Sequence, residues 1–152
     1  MTDRKQRRLE LLRRLRELGV EQARAGHVAA RAELDERSAL CEDTQKRLQA
    51  LDGWTAEQLG GSGAVSPEVL RLAQLYRGAE RQTLERQRAD ELESQQRTEE
   101  ARTQLGARFE ELSVAEKLAA RHASARTNEQ LRVGYVESDE AGTRRKQLEA
   151  KE

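Results

Sequence analysis

The chain has almost nothing with which to build an aromatic core, since one Trp, one Phe and two Tyr are spread over 152 residues. Trp54, Tyr76, Phe109 and Tyr135 are too sparse to form the stacking platform that single-stranded nucleic acid uses. A single cysteine, Cys41, excludes an internal disulfide, and no apolar run approaches the roughly 20 residues of a membrane span. The residues after Met1–Arg8 are charged and amphipathic, so the sequence predicts no signal peptide, no direct membrane insertion and a reduced, cytoplasmic setting. Net charge is missing too: 28 basic residues balance 28 acidic ones, which predicts no long-range field for a phosphate backbone or an anionic membrane. Nucleic acid is not an expected partner. Parts for catalysis and metal binding are also absent. His27 and His122 stand alone, Cys41 has no companion at zinc spacing, and Gly60-Gly61-Ser62-Gly63 lacks the Gly-Lys-Ser/Thr ending of a phosphate loop. These gaps predict a non-enzymatic protein with no cofactor and no metal.

What the chain does have is charge, at 37% of residues, mixed with Leu, Ala and Gln. That mixture favours long helices that bury a stripe in place of a globular core. Only one region breaks the pattern strongly, through Asp52-Gly53, Gly60-Gly61-Ser62-Gly63 and Ser66-Pro67. The sequence therefore predicts helix one over about residues 3–51, a turn over about 52–66, helix two over about 67–142 and a loose tail over about 143–152. Ser66 precedes Pro67 and Glu68 as a helix start requires. At about 1.5 Å per residue these helices would be roughly 75 Å and up to about 120 Å long. Gly19, Gly26, Gly106, Gly134 and Gly142 interrupt them and predict bends or fraying, each costing up to about 1 kcal/mol against Ala.

Leu34, Cys41 and Leu48 stand seven apart, and the intervening heptad position is held by Ala30 and Leu51 at the ends and interrupted by Arg37 and Thr44. Leu105, Phe109, Leu112, Glu116 and Ala119 follow the same spacing in helix two. Acid-to-base pairs four apart, such as Glu33 with Arg37 and Glu93 with Arg97, add about 0.3–0.5 kcal/mol each to exposed helix. The resulting expectation is an all-α, antiparallel two-helix coiled-coil hairpin, monomeric, with an extended parallel dimer as the rival. A tip near residue 60 would place residue n opposite about 120 minus n, setting Leu48 by Leu72, Leu51 by Val69, Cys41 by Ala79, Leu15 by Leu105 and Leu11 by Phe109. In that register everything beyond about Ala119 lacks a partner, although Leu118, Leu131, Val133, Tyr135 and Val136 are apolar. Trp54 near the turn reads either as a lid on the hairpin end or as an exposed anchor for a partner.

The length, the hairpin with its mid-chain Gly/Ser turn and the run Glu116-Lys117-Leu118-Ala119-Ala120-Arg121, Glu129, Asp139-Glu140 and Arg144 resemble a known family. It is the central stalk of bacterial type III export, the flagellar FliJ type and its YscO-type counterparts in virulence systems. The resemblance implies a protein similar to the coiled-coil part of the rotary ATPase γ subunit, docking in a hexameric export ATPase, reaching an export-gate protein and escorting substrate chaperones. On that reading Glu116, Lys117, Leu118, Arg121, Glu129, Leu131, Arg132, Asp139, Glu140 and Arg144 meet the ATPase, while Leu48, Leu51, Trp54, Leu72 and Tyr76 face the export gate. The protein would sit at the cytoplasmic periphery of a membrane-embedded machine. A generic coiled-coil scaffold or a small coiled-coil chaperone is the alternative.

Overall fold

In the computed structural model the described residues are 2–61, 63 and 65–150, apart from the side chains of Thr2 and Asp3. They form two helices, α1 over Thr2–Gly60 and α2 over Pro67–Glu149, with no strand among them. The pair folds back as the antiparallel hairpin that the sequence predicts. Pro67 begins α2 as expected, with the Ser66 carbonyl accepting from the Val69 and Leu70 amides at 3.1 and 3.2 Å.

Both helices outlast their predicted ends. Asp52-Gly53 does not stop α1, which runs on to Gly60, so helix replaces the first nine residues of the predicted turn, while residues 62 and 64 of that turn lie outside the described residues. The reason is tertiary: Thr55 and Gln58 continue the half-buried stripe of α1 beyond Gly53, and packing offsets a glycine cost of about 1 kcal/mol. Gly61 closes the helix, its amide donating to Glu57 O at 3.0 Å, where a Cβ would stand 3.2 Å from the same oxygen. Nor does α2 stop near residue 142, since helix continues to Glu149 through the good helix formers Arg144-Arg145-Lys146-Gln147-Leu148. Gly19, Gly26, Gly106, Gly134 and Gly142 all lie within unbroken helix, and no glycine among the described residues has positive φ.

The chain divides into two compact units, Gln22–Gly106 and the pairing of Met1–Glu21 with Ala107–Glu152. In the first, the covered positions of α1 step by three and four through Ala23, His27, Ala30, Leu34, Arg37, Cys41, Thr44, Leu48, Leu51, Thr55 and Gln58. Those of α2 step likewise through Leu70, Ala73, Arg77, Glu80, Leu84, Gln87, Glu91, Ser94, Thr98, Ala101 and Leu105. This is an unbroken heptad seam of mixed polarity. Bonds across it set the register. Thr98 Oγ1 donates to Ala30 O at 3.3 Å, Arg37 meets Asp90 at 3.5 Å, Arg47 meets Glu80 at 3.3 Å and Arg97 meets Glu33 at 3.6 Å.

Residue n of α1 thus lies opposite about 128 minus n, not 120 minus n. Leu48 faces Glu80 and not Leu72; Leu51 faces Arg77 and not Val69; Cys41 faces Gln87 and not Ala79. The shift follows from the later turn, because extending α1 to Gly60 moves the hairpin's centre towards residue 64. Leu72 and Val69 are left 72% and 47% exposed.

The seam buries little. Cys41 and Leu84 are its buried apolar side chains in this unit, Thr44 and Ser94 its buried polar ones, and Thr44 has 0% exposure. Two polar residues at or beside the seam find side-chain partners across or along it. The Thr44 hydroxyl accepts from Arg47 Nη2 at 3.0 Å, and Ser38 Oγ donates to Glu91 Oε1 at 2.6 Å. Arg77 Nε, buried, lies 2.8 Å from Asp52 Oδ1 as an ion pair lacking hydrogen-bond alignment, and the buried Gln87 Oε1 has no bonding partner.

In the other unit Leu9, Arg13, Arg16 and Val20 of α1 are covered, as are Leu112, Ala115, Ala119 and His122 of α2. Arg16 reaches Glu111 at 2.8 Å, and a Cβ on Gly19 would touch the Arg108 side chain at 3.7 Å. The predicted stripe holds at Leu105, Leu112 and Ala119 but not at Phe109, which is 43% exposed, or at Glu116, where the neighbouring Ala115 is the buried position. Leu11 and Leu15, expected to pack against α2, are 59% and 64% exposed. Their angular position explains it, since each is two residues from a seam residue, nearly the opposite side of a helix.

Candidate functional site

Two of the surfaces whose apolar groups the hairpin does not use bear on the predicted docking residues. The first, in unit Gln22–Gly106, is a second stripe on α2. Val69, Leu72, Tyr76 and Ala79 also step by three and four, one residue before the seam positions Leu70, Ala73, Arg77 and Glu80, and all four are exposed. Neighbouring stripes on one helix lie about 100° apart, so the seam and this stripe cannot both face α1. The more polar one does, leaving Tyr76 51% and Leu72 72% exposed.

Trp54 of α1 belongs to the same side. Glu33 and Arg97 meet across the hairpin at 3.6 Å, and Trp54 and Tyr76 hold the equivalent heptad positions three repeats nearer the turn. Trp54 is 37% exposed. Of the residues expected to face an export gate, the structure therefore groups Trp54, Leu72 and Tyr76 on the surface and puts Leu48 and Leu51, half-buried, into the seam. Sequence reasoning missed Val69 as a surface residue. Its signal was present, in the duplicated spacing, but spacing alone does not say which stripe is covered.

Comparison with known families, characterised proteins and solved structures finds no match. The site's own geometry must carry the argument.

The second surface is the C-terminal part of α2. His122 is the last half-buried residue, and Arg126 still bonds to Gln6 of α1, so α1 covers α2 several residues beyond Ala119. From Ala123 to Ala150 every residue is exposed. Leu131, Val133, Tyr135 and Val136 stand 55%, 47%, 70% and 52% exposed on this bare stretch. The candidates Glu129, Leu131, Arg132, Asp139, Glu140 and Arg144 all fall on it. Lys117, Leu118 and Arg121 are exposed on the covered part of the helix.

Glu116 has a different environment. It adds to the negative field that raises the Arg13 guanidinium's pKa, an effect led by Arg13's hydrogen bond to Glu10. The Glu10 carboxyl, held by that same bond, is lowered below the ordinary carboxylate range. Where the arms part, a cleft of about 500 Å³ is lined by Gln6, Leu9, Glu10, Ala119, Ala120, His122, Ala123, Arg126, Thr127 and Gln130.

Cys41 is a seam residue. Burial, then a hydrogen bond to Glu91, push its thiol pKa up, which keeps it protonated and unreactive. Among the described residues no group of three His, Cys, Asp or Glu is placed to hold a metal ion, and no helix is long and apolar enough to cross a membrane.

Proposed function

We propose that the protein is a non-enzymatic docking element, the central stalk of a bacterial type III export apparatus. The bare continuation of α2 carries the reading, because four large apolar residues within Leu131–Val136 sit on a helix with no partner and an unpartnered apolar surface calls for one. On this proposal Leu118 and Leu131 anchor in a hexameric export ATPase. Glu116, Lys117, Arg121, Glu129, Arg132, Asp139, Glu140 and Arg144 set orientation and encounter rate there, the usual part of rim charges. The Trp54, Val69, Leu72 and Tyr76 surface takes the export-gate protein, and substrate chaperones are a further cargo. The resemblance in residues 116–144 supports this choice over other docking roles.

The hydrolysis rate of the cognate hexamer, with and without this protein, tests the proposal. Stimulation is expected, as is its loss at low salt when Arg121, Arg132 and Arg144 are together replaced by Glu. A native chain that neither binds the hexamer nor stimulates it would sink the stalk mechanism. A coiled-coil scaffold is the second reading, favoured by the exposed stripe Val69, Leu72, Tyr76 and Ala79, whose spacing suits an added helix. Capture of a helical partner by that stripe, without any effect on an ATPase, would support it.

A further inference from the structure

Neutrality over the whole chain conceals one local imbalance. Between Arg4 and Arg16 there are seven basic residues and a single acid, Glu10, so thirteen residues hold a quarter of the chain's 28 basic side chains. The hairpin uses part of this charge. Arg16 reaches Glu111 at 2.8 Å, and Arg13 sits against Glu10 and Glu17 at 2.9 and 3.2 Å, both arginines being half-buried.

The other arginines lie elsewhere on the helix. At about 100° per residue, Arg4, Arg7, Arg8 and Arg14 fall in one arc of roughly 120° directly opposite the seam residues Leu9, Arg13, Arg16 and Val20. Leu11, Leu15 and Leu18 occupy the middle of that arc. The four arginines are exposed, and the leucines stand 59%, 64% and 54% exposed. Glu10 and Glu17 lie outside the arc beside Arg13, and Glu10 also meets Arg14 of the arc at 3.5 Å. Leucines flanked on both sides by arginines, on a stiff helix held by its other face, form the pattern of an interfacial helix.

We infer that this face of α1 adsorbs to an anionic lipid surface, with Leu11, Leu15 and Leu18 at the headgroup boundary and Arg4, Arg7, Arg8 and Arg14 on lipid phosphates. Charge complementarity selects the occupant, and three competitors fit worse. A second copy of the same face would set arginine against arginine. A nucleic-acid backbone would attract the positive charge of the arc but leave the leucines nothing to bury. A partner helix would need a longer seam, and the leucine stripe gives way to Gln22 after three positions, short of the about three to four heptads that a coiled-coil pairing sustains. A lipid surface imposes no register, and arginine stems can lie along it while their heads reach phosphate. Such adsorption is peripheral, and it stands independently of the stalk proposal.

The test is co-sedimentation of the full chain with vesicles of phosphatidylglycerol and phosphatidylcholine, against phosphatidylcholine alone. Binding to the anionic vesicles should be at least about tenfold tighter and should weaken with added salt. Replacing the four arginines by Gln, or the three leucines by Ser, should each weaken it about tenfold or more, while the four-fold Arg→Lys chain keeps it, because a lipid surface reads charge more than the guanidinium fork. Circular dichroism should be unchanged in all three chains, since no altered residue lies in the seam. Equal binding to both vesicle types overturns the inference. So does loss in the arginine variant with none in the leucine variant, which would mark a plain polyanion site. Failure on vesicles combined with capture by polyglutamate would assign the face to an acidic protein, and that too overturns it.

Discussion

Replacing Leu84 by Ala should cost far more than replacing Leu72 by Ala, although both leucines lie on α2 within the same unit. Leu84 is 7% exposed and lies opposite Thr44, which has no exposure, whereas Leu72 is 72% exposed. Each truncation removes three carbon groups, worth about 0.8 kcal/mol apiece when fully buried, or about 2.4 kcal/mol in all. A seam between two helices is open at its sides and can close around the deletion, so the cavity adds little. A loss of about 2–3 kcal/mol is expected for Leu84→Ala, at the low end of core Leu→Ala values. Leu72 has roughly a quarter of its surface covered, and Leu72→Ala should cost about 0.7 kcal/mol or less. The contrast discriminates between registers. If Leu72 met Leu48, its truncation would be the costly one and Leu84 would point outward near Glu36. Urea unfolding followed by far-ultraviolet circular dichroism measures both changes, with equal slopes required for the comparison. A Leu72→Ala cost equal to or above that of Leu84→Ala would refute the register and the surface assignment built on it.

On the docking role proposed above, Trp54→Ala and Tyr76→Ala should each weaken binding of an export-gate protein by about 2 kcal/mol, the hot-spot scale, with helicity kept; a fall in thermal stability without loss of binding would make Trp54 a lid. Because the folded chain favours the neutral Cys41 thiol, that contribution to stability is complete below the ordinary thiol pKa of about 8.5 and is lost as pH rises from there through the raised folded value. The folded chain's thiol should therefore resist alkylation until it unfolds, and a Cys41→Ala chain should lack the alkaline slope; rapid labelling of native Cys41 would contradict its burial. Ending the chain after Gln130 should change unfolding free energy by less than about 0.5 kcal/mol, since residues 131–150 are all exposed, and a larger loss would show that the segment packs.

The sequence by itself determined that the protein is a pair of helices. Strong helix formers fill both arms, Ser66-Pro67 starts α2, and the repeat of Leu34, Cys41 and Leu48 marks the covered side of α1. These signals are local, each depending on residues within one or two turns. The bare surface beyond His122 was legible in outline for a similar reason, because a longer second helix must outrun a shorter first one. Register was not local. On α2 the stripes Val69-Leu72-Tyr76-Ala79 and Leu70-Ala73-Arg77-Glu80 have the same period, and hydrophobicity alone favours the first. Tertiary structure decided for the second, since carrying α1 through Gly53 to Gly60 moves every layer of the hairpin together and brings Arg37, Arg47 and Arg97 onto Asp90, Glu80 and Glu33. One turn thus decides which side of α2 is hidden, and with it whether Trp54, Leu72 and Tyr76 belong to the protein's interior or to its partners.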